Sequence, residues 1–207
     1  MSFRCCASLA DNHQVGDYEI VQEGDPRCAE LEAAGYRVVA ESWAVRLYDP
    51  DRDLLESAVR RATAGGLTVR ELGPESAQAL YTLEKTNEPD YPDTPASHRE
   101  VGDLAKIQAL WPGKRVFGAF DGNRLVGATV IREYDGHGDT AFTSVLAQYR
   151  RRGVGQAVKA ASILAFLDIG ITRFSTGGAA ANEASLQANQ SLGYQLTERW
   201  RTYAPTT

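Results

Sequence analysis

The densest chemistry in this chain lies in one run, Arg150-Arg151-Arg152-Gly153-Val154-Gly155-Gln156. A strand-like stretch, 141–147, leads into it, and an apolar, helix-like stretch, 156–167, leads out. Strand, basic glycine turn and helix together present bare backbone N–H groups to a phosphate. The first N–H groups of a helix lack an internal partner, and the helix dipole adds partial positive charge there. Two glycines let a phosphate approach the main chain without meeting a Cβ, and arginines add charge-assisted contacts. The alternative is a solvated basic turn that caps a helix. Two nucleotide loops are excluded by residue type. A P-loop needs Gly-Lys-Ser/Thr, but Gln156 and Ala157 follow Gly155. A dinucleotide fingerprint needs a third glycine, and position 158 is Val.

The pattern that remains is Arg/Gln-x-x-Gly-x-Gly after a strand. With Val145 five residues before Arg150, the run from Thr143 to Gly155 resembles the acetyl-CoA loop of the GNAT superfamily of N-acetyltransferases. A second block lies downstream: Asn182, Leu186, Asn189, then Leu192-Gly193-Tyr194. It is similar to the helix and turn beside the cofactor's pantetheine arm in that family. The resemblance covers residues 67–204. It implies a mixed α/β fold, acetyl-CoA as cofactor, and direct acetyl transfer to an amine.

The resemblance also implies roles. Amides of Arg151, Arg152, Gly153, Val154, Gly155 and Gln156 would bind the pyrophosphate, with the Arg150, Arg151 and Arg152 side chains assisting. Thr143, Ser144 and Val145 would pair with the pantetheine arm, the N–H of Thr143 or Val145 facing the thioester oxygen. Asn182 would contact the arm or cap its helix. Asn189 stands where many members carry an acidic Tyr; it has no acidic proton, although its amide can donate a hydrogen bond. Asp139 aligns with a glutamate base of some members. By period two it shares a strand face with Ala141, Thr143 and Val145, but it also reads as a turn residue. Glu84 is the alternative base. Glu84, Glu88, Asp90 and Asp93 would line the acceptor pocket, or form a solvated acidic loop.

The elements that must position these residues follow from pattern. Residues 67–71 read as a strand, and a helix starting at Pro74 buries Ala77, Leu80, Tyr81 and Leu83. A proline-rich loop spans 87–97. Ser97, with Glu100, would cap a helix reaching Leu110. Strands at 115–120 and 124–134 flank Asp121-Gly122-Asn123. A second turn spans 135–139, and the strand 140–147 feeds the glycine loop. A strand at 171–176, a helix at 182–192 and a strand pair at 194–203 complete the unit.

The first 48 residues echo this ending. Leu31 to Tyr36 followed by Trp43 matches Asn189 to Tyr194 followed by Trp200. With a strand at 18–22 and a helix at 26–34, they read as a GNAT half-repeat that binds no cofactor. The competing reading is coincidence. Residues 49–66 would be a connecting helix ended by Gly65-Gly66, and 67–207 the catalytic domain.

Composition bounds the rest. The chain has 207 residues, 43% of them hydrophobic, and a net charge of −5. No basic stripe beyond Arg150–Arg152 favours nucleic acid. An acidic body suits a cationic substrate, and equally serves solubility. No long apolar run or signal-like start stands out, so a cytoplasmic location is expected. Cys5, Cys6 and Cys28 read as free thiols, and no Cys/His spacing suggests zinc. The expected acceptor is a small amine-rich cation, such as an aminoglycoside-type antibiotic. Polyamines and peptide N-termini are rivals, as is a cofactor-binding regulatory module. The partner expectation is a monomer or homodimer.

Overall fold

A computed structural model describes residues 18–91 and 100–206; Cys5, Cys6, Asp93 and Ser97 lie outside them. The described residues begin with β1 (Glu19–Gln22), α1 (Arg27–Ala33), β2 (Tyr36–Tyr48), α2 (Arg52–Ala64) and β3 (Thr68–Leu72). Next come α3 (Ala77–Asn87), α4 (Leu104–Gln108), β4 (Arg115–Asp121), β5 (Arg124–Tyr134) and β6 (His137–Val145). Then follow α5 (Val154–Leu167), β7 (Arg173–Ala179), α6 (Glu183–Gln190) and β8 (Gln195–Pro205). The strands form one eight-stranded sheet in the order β1-β8-β2-β7-β6-β5-β4-β3.

Three sequence expectations change. The helix expected from Ser97 to Leu110 shrinks to α4. Gly102 has φ +69, and Asp103 restarts the chain as N-cap, its carboxylate accepting from Lys106 N at 2.9 Å. The turn expected over 135–139 contracts to Asp135 and Gly136, whose φ values of 50° and 71° make a two-residue hairpin between Tyr134 and His137. Asp139 is therefore a strand residue. The closing strand pair is the single strand β8, whose neighbours are both N-terminal: β1 on one side and β2 on the other.

That last arrangement has internal symmetry. β1-α1-β2 and β7-α6-β8 are each strand, helix, Gly-Tyr, strand. β2 lies between β7 and β8, while β8 lies between β1 and β2. Each unit thus receives a strand of the other into its middle. The central pair, β2 and β8, is antiparallel and is pinned by Arg46 and Glu198 at 2.6 Å.

The site depends on the sheet's one parallel contact among the described strands. β6 and β7 pair only at Gly138↔Phe174 and Asp139↔Ser175. Beyond Asp139, β7 stays with β2 out to Ala179, while β6 follows β5. The β5–β6 register jumps from Val130↔Phe142 to Ile131↔Thr140, leaving Ala141 as a bulge that bends β6 away. The result is a fork between the two strands. α5 packs beside it, buried nearly all round through Val154, Ala157, Val158, Ala160, Ile163 and Phe166. Ile131, Ile163, Phe166 and Phe174 share one core beneath it, each contributing roughly 1.5–3 kcal/mol by burial.

Candidate active site

A cleft of about 670 Å³ occupies the fork. Its walls are β6 from Thr143 to Val145, the loop into α5, the face of α6 from Asn182 to Asn189, and Asn87, Asp90 and Tyr91. At one end, Arg151 (φ 60°) and Gly153 (φ 76°) both adopt left-handed backbone, which turns the chain sharply into α5. The first α5 hydrogen bond of this turn runs from Ala157 N to Gly153 O at 2.9 Å. The amides of Val154, Gly155 and Gln156 precede it and have no helical acceptor. Arg150 is exposed but engaged within the cleft wall: it donates from Nε to Val145 O at 3.0 Å and from a terminal nitrogen to Asp90 at 2.5 Å. Arg152 stacks on Tyr149, 5.6 Å from the ring centre, and does not line the cleft.

The β6 wall offers main-chain groups. Leu146 N donates to Val126 O at 3.0 Å. Antiparallel pairing alternates, so Ser144 and Phe142 also turn their main chain to β5, while Val145 and Thr143 turn theirs into the fork. Val145 O accepts from Arg150, leaving the Val145 N–H and both Thr143 groups facing the cleft. The Thr143 hydroxyl is 2.8 Å from that of Thr129 on β5.

Across the fork, Asn182 caps α6, its Oδ1 accepting from Ser185 N at 3.2 Å, and it also lines the cleft. Gln156 ties the two helices, donating to Ser191 Oγ at 2.5 Å. Asn189 is buried. Its Nδ2 donates to Ser185 O at 2.9 Å, and its Oδ1 accepts from Lys159 Nζ at 2.5 Å. The sequence reading did not single out Lys159, which directly precedes the apolar run from Ala160 to Leu167. It lies four residues after Gly155, on the same helix face, and that spacing was the available signal. Lys159 is 6% exposed and lines the cleft. Burial lowers its pKa to about 7, opposed by the nearby Asp139 carboxylate.

The carboxylates expected to act sit differently from one another. Asp139 is buried beside the root of the fork, held by Arg132 Nε at 3.3 Å and Ser175 Oγ at 3.1 Å. The Ala141 bulge breaks the expected alternation: Asp139 pairs across from Arg132, and Arg132, Val130 and Ala128 share one face of β5. Asp139 therefore shares the face of Phe142 and Ser144, not that of Thr143 and Val145. Glu84 is fully buried on α3 and accepts from the Tyr91 hydroxyl at 3.1 Å. Tyr91 lines the cleft and lies 2.8 Å from Ser144 Oγ, which also accepts from Asn87 Nδ2 at 2.7 Å. Sequence reasoning missed Tyr91 and Asn87. Glu88 pairs with Lys85 at 2.8 Å and accepts from Val101 N, which together hold its carboxyl below the usual range. Asp90 is in the wall but faces Arg150.

These residues fit an extended thioester cofactor with phosphates at one end. A Cβ on Gly155 would stand 3.5 Å from Val145 and 3.7 Å from Thr143, in the cleft wall rather than in the core. A forked parallel strand pair that leads to a glycine-lined helix N-terminus defines the class: an acyl-CoA N-acyltransferase fold. A sequence model of the acetyltransferase (GNAT) family matches residues 77–194. The chain belongs to the GNAT acetyltransferase family. No curated protein matches it in sequence. Among solved structures, a GCN5-related N-acetyltransferase from Sphaerobacter thermophilus aligns with 90% of this chain at 15% identity and TM-score 0.65. A tandem GNAT protein from the clavulanic acid biosynthesis pathway aligns with 92% at 16% identity and TM-score 0.61. This chain spans 58% of the first protein and 65% of the second. The ribosomal-protein-S18-alanine N-acetyltransferase of Escherichia coli aligns over 67% of this chain and 92% of its own length, at 15% identity and TM-score 0.53.

Proposed function

We propose that this protein is an acetyl-CoA-dependent N-acetyltransferase that moves the acetyl group directly onto a primary amine of a small acceptor. The observation that carries this reading is the pairing of two donor sets in one cleft: main-chain N–H groups of β6 and unpaired amides at the start of α5. Acetyl-CoA, when bound, supplies a thioester-activated acetyl group. The amides of Val154, Gly155 and Gln156, with Arg151, hold phosphate. The N–H of Thr143 or Val145 donates to the carbonyl oxygen as charge develops there. Asn182 and Asn189 form the facing wall.

A protonated amine must lose a proton before it attacks. Glu84 is the better base than Asp139, because Tyr91 links it to the cleft while Asp139 is engaged by Arg132 and Ser175. The Tyr91 hydroxyl takes the amine proton as it passes its own to Glu84. The acceptor we favour is a small amine, with an aminoglycoside-type antibiotic as the specific candidate. Asp90 supports this, and binding there requires the acceptor to displace Arg150. Polyamines and peptide N-termini compete within the same chemistry. We read β1-α1-β2 as a GNAT half-repeat, supported by its exchange of strands with β7-α6-β8 and by the structural likeness to a tandem GNAT protein.

The test is calorimetric titration with acetyl-CoA, followed by thiol release over a panel of aminoglycosides, polyamines and peptides. Binding with thiol release on at least one amine is expected. Binding with no release on any amine makes the protein a cofactor-binding module instead.

A further inference from the structure

Lys159 occupies a place unfavourable for a lysine. Its side chain is buried, and its hydrogen-bond partner is a neutral amide oxygen. Asn189 is itself fixed by Ser185 O, so its carbonyl is committed to aiming the ammonium. The other cations of the cleft wall, Arg150 and Arg151, sit at the loop end; Lys159 lies one helical turn beyond Gly155. Two buried hydroxyls, those of Thr140 and Tyr194, lie near Lys159. The Tyr194 hydroxyl faces Thr140, yet neither oxygen makes a well-formed hydrogen bond. The Tyr194 ring centre is 5.6 Å from Nζ. The titratable groups that face Lys159 are Asp139 on β6 and Tyr194 ahead of β8.

We propose that Lys159 is the catalytic proton donor to the sulfur that leaves during acyl transfer, an assignment that rests on the acetyltransferase reading above. As the amide C–N bond forms, the C–S bond breaks and its electron pair stays on sulfur. An N–H bond of the Lys159 ammonium breaks, and an S–H bond forms. Lys159 is left neutral, and the product is a neutral thiol. The proton lost by the acceptor amine leaves through Tyr91 and Glu84, and solvent returns one to Nζ through the open cleft that Lys159 lines. Asn189 has no acidic proton to give; its part is to position the group that does. A buried ammonium with a pKa near 7 gives its proton readily to a thiolate, whose conjugate acid is normally weaker.

The test uses coenzyme A with its free thiol, so it does not depend on the acceptor. Calorimetry measures its binding to the wild-type protein and to Lys159→Met and Lys159→Gln. Ultraviolet absorbance of the thiolate then titrates the bound thiol in each complex. The wild-type complex is expected to ionise about half a pH unit or more below either variant, because the positive charge of Lys159 beside the sulfur stabilises the thiolate. Acetyl transfer in both variants is expected to slow about 100-fold. Equal thiol ionisation in all three proteins overturns the proposal while the acetyltransferase reading stands. Failure of the wild-type protein to bind coenzyme A overturns both. Acetylation of Lys159 on mixing with acetyl-CoA, read by mass spectrometry, also overturns it, since the lysine would then be an acceptor.

Discussion

Replacing Lys159 by Met should make the folded protein more stable at neutral pH. Burial lowers the lysine pKa from 10.5 to about 7. That shift corresponds to about 5 kcal/mol of unfavourable free energy for the charged form in the folded state. The penalty is fully present below pH 7, where the folded and unfolded chains both carry the proton. Between pH 7 and 10.5 the unfolded chain keeps the proton and the folded chain releases it, so stability rises with pH. From pH 7 to 9 the rise should be about 2 kcal/mol. Met has similar length and no charge. It leaves Asn189 Oδ1 without its donor, which costs roughly 1–3 kcal/mol. The net gain at pH 7 is therefore about 2–3 kcal/mol, with the upward slope above pH 7 abolished. Urea unfolding of both proteins at pH 6, 7, 8 and 9 measures this. A variant less stable than wild type at pH 7, or one that keeps the wild-type slope, would show that the lysine is not a buried, unfavourable charge. A stabilising substitution that slows turnover is the signature of a residue kept for function.

Gly155→Val should leave the fold intact, since a Cβ there meets only Val145 and Thr143 at ordinary contact distance. It should weaken coenzyme A binding at least about 100-fold by filling the cleft wall; calorimetry with thermal melts as control checks both halves. Glu84→Gln and Tyr91→Phe should each lower kcat about 100-fold while leaving the Kd of coenzyme A within about twofold, as steady-state kinetics and calorimetry would read. Gly138→Ala should destabilise the protein by about 1–3 kcal/mol in denaturant, because its Cβ would lie 2.5 Å from Phe174 at the root of the fork.

The glycine-loop end of the cleft was legible as local structure because its backbone chemistry is local. Arg150 to Gln156 and Asn182 to Asn189 are short runs whose residue types determine backbone conformation and capping. The internal echo of Gly35-Tyr36 in Gly193-Tyr194 was also legible, but the exchange of β2 and β8 between the two units was not. Strand partners far apart in sequence leave no periodic signal. The face of Asp139 was misread because one bulge residue, Ala141, reverses a period-two alternation, and neither its composition nor its neighbours announce a bulge. Lys159 was missed because a lysine beside an apolar run reads as that run's solvated edge; its contacts with Asn189 and the Tyr194 ring are made by residues thirty or more positions away. Ser144 meets Asn87 and Tyr91 from more than fifty positions away in sequence, a proximity that no local pattern signals.

The central claim is that the fork holds acetyl-CoA and delivers its acetyl group to an amine. The direct measurement is single-turnover mixing of the wild-type protein with radiolabelled acetyl-CoA, with and without an amine panel that includes aminoglycosides. The account predicts label in an N-acetylated small product and one free thiol released per acetyl group transferred. Label that stays on coenzyme A with every amine, although the cofactor is bound, would contradict it.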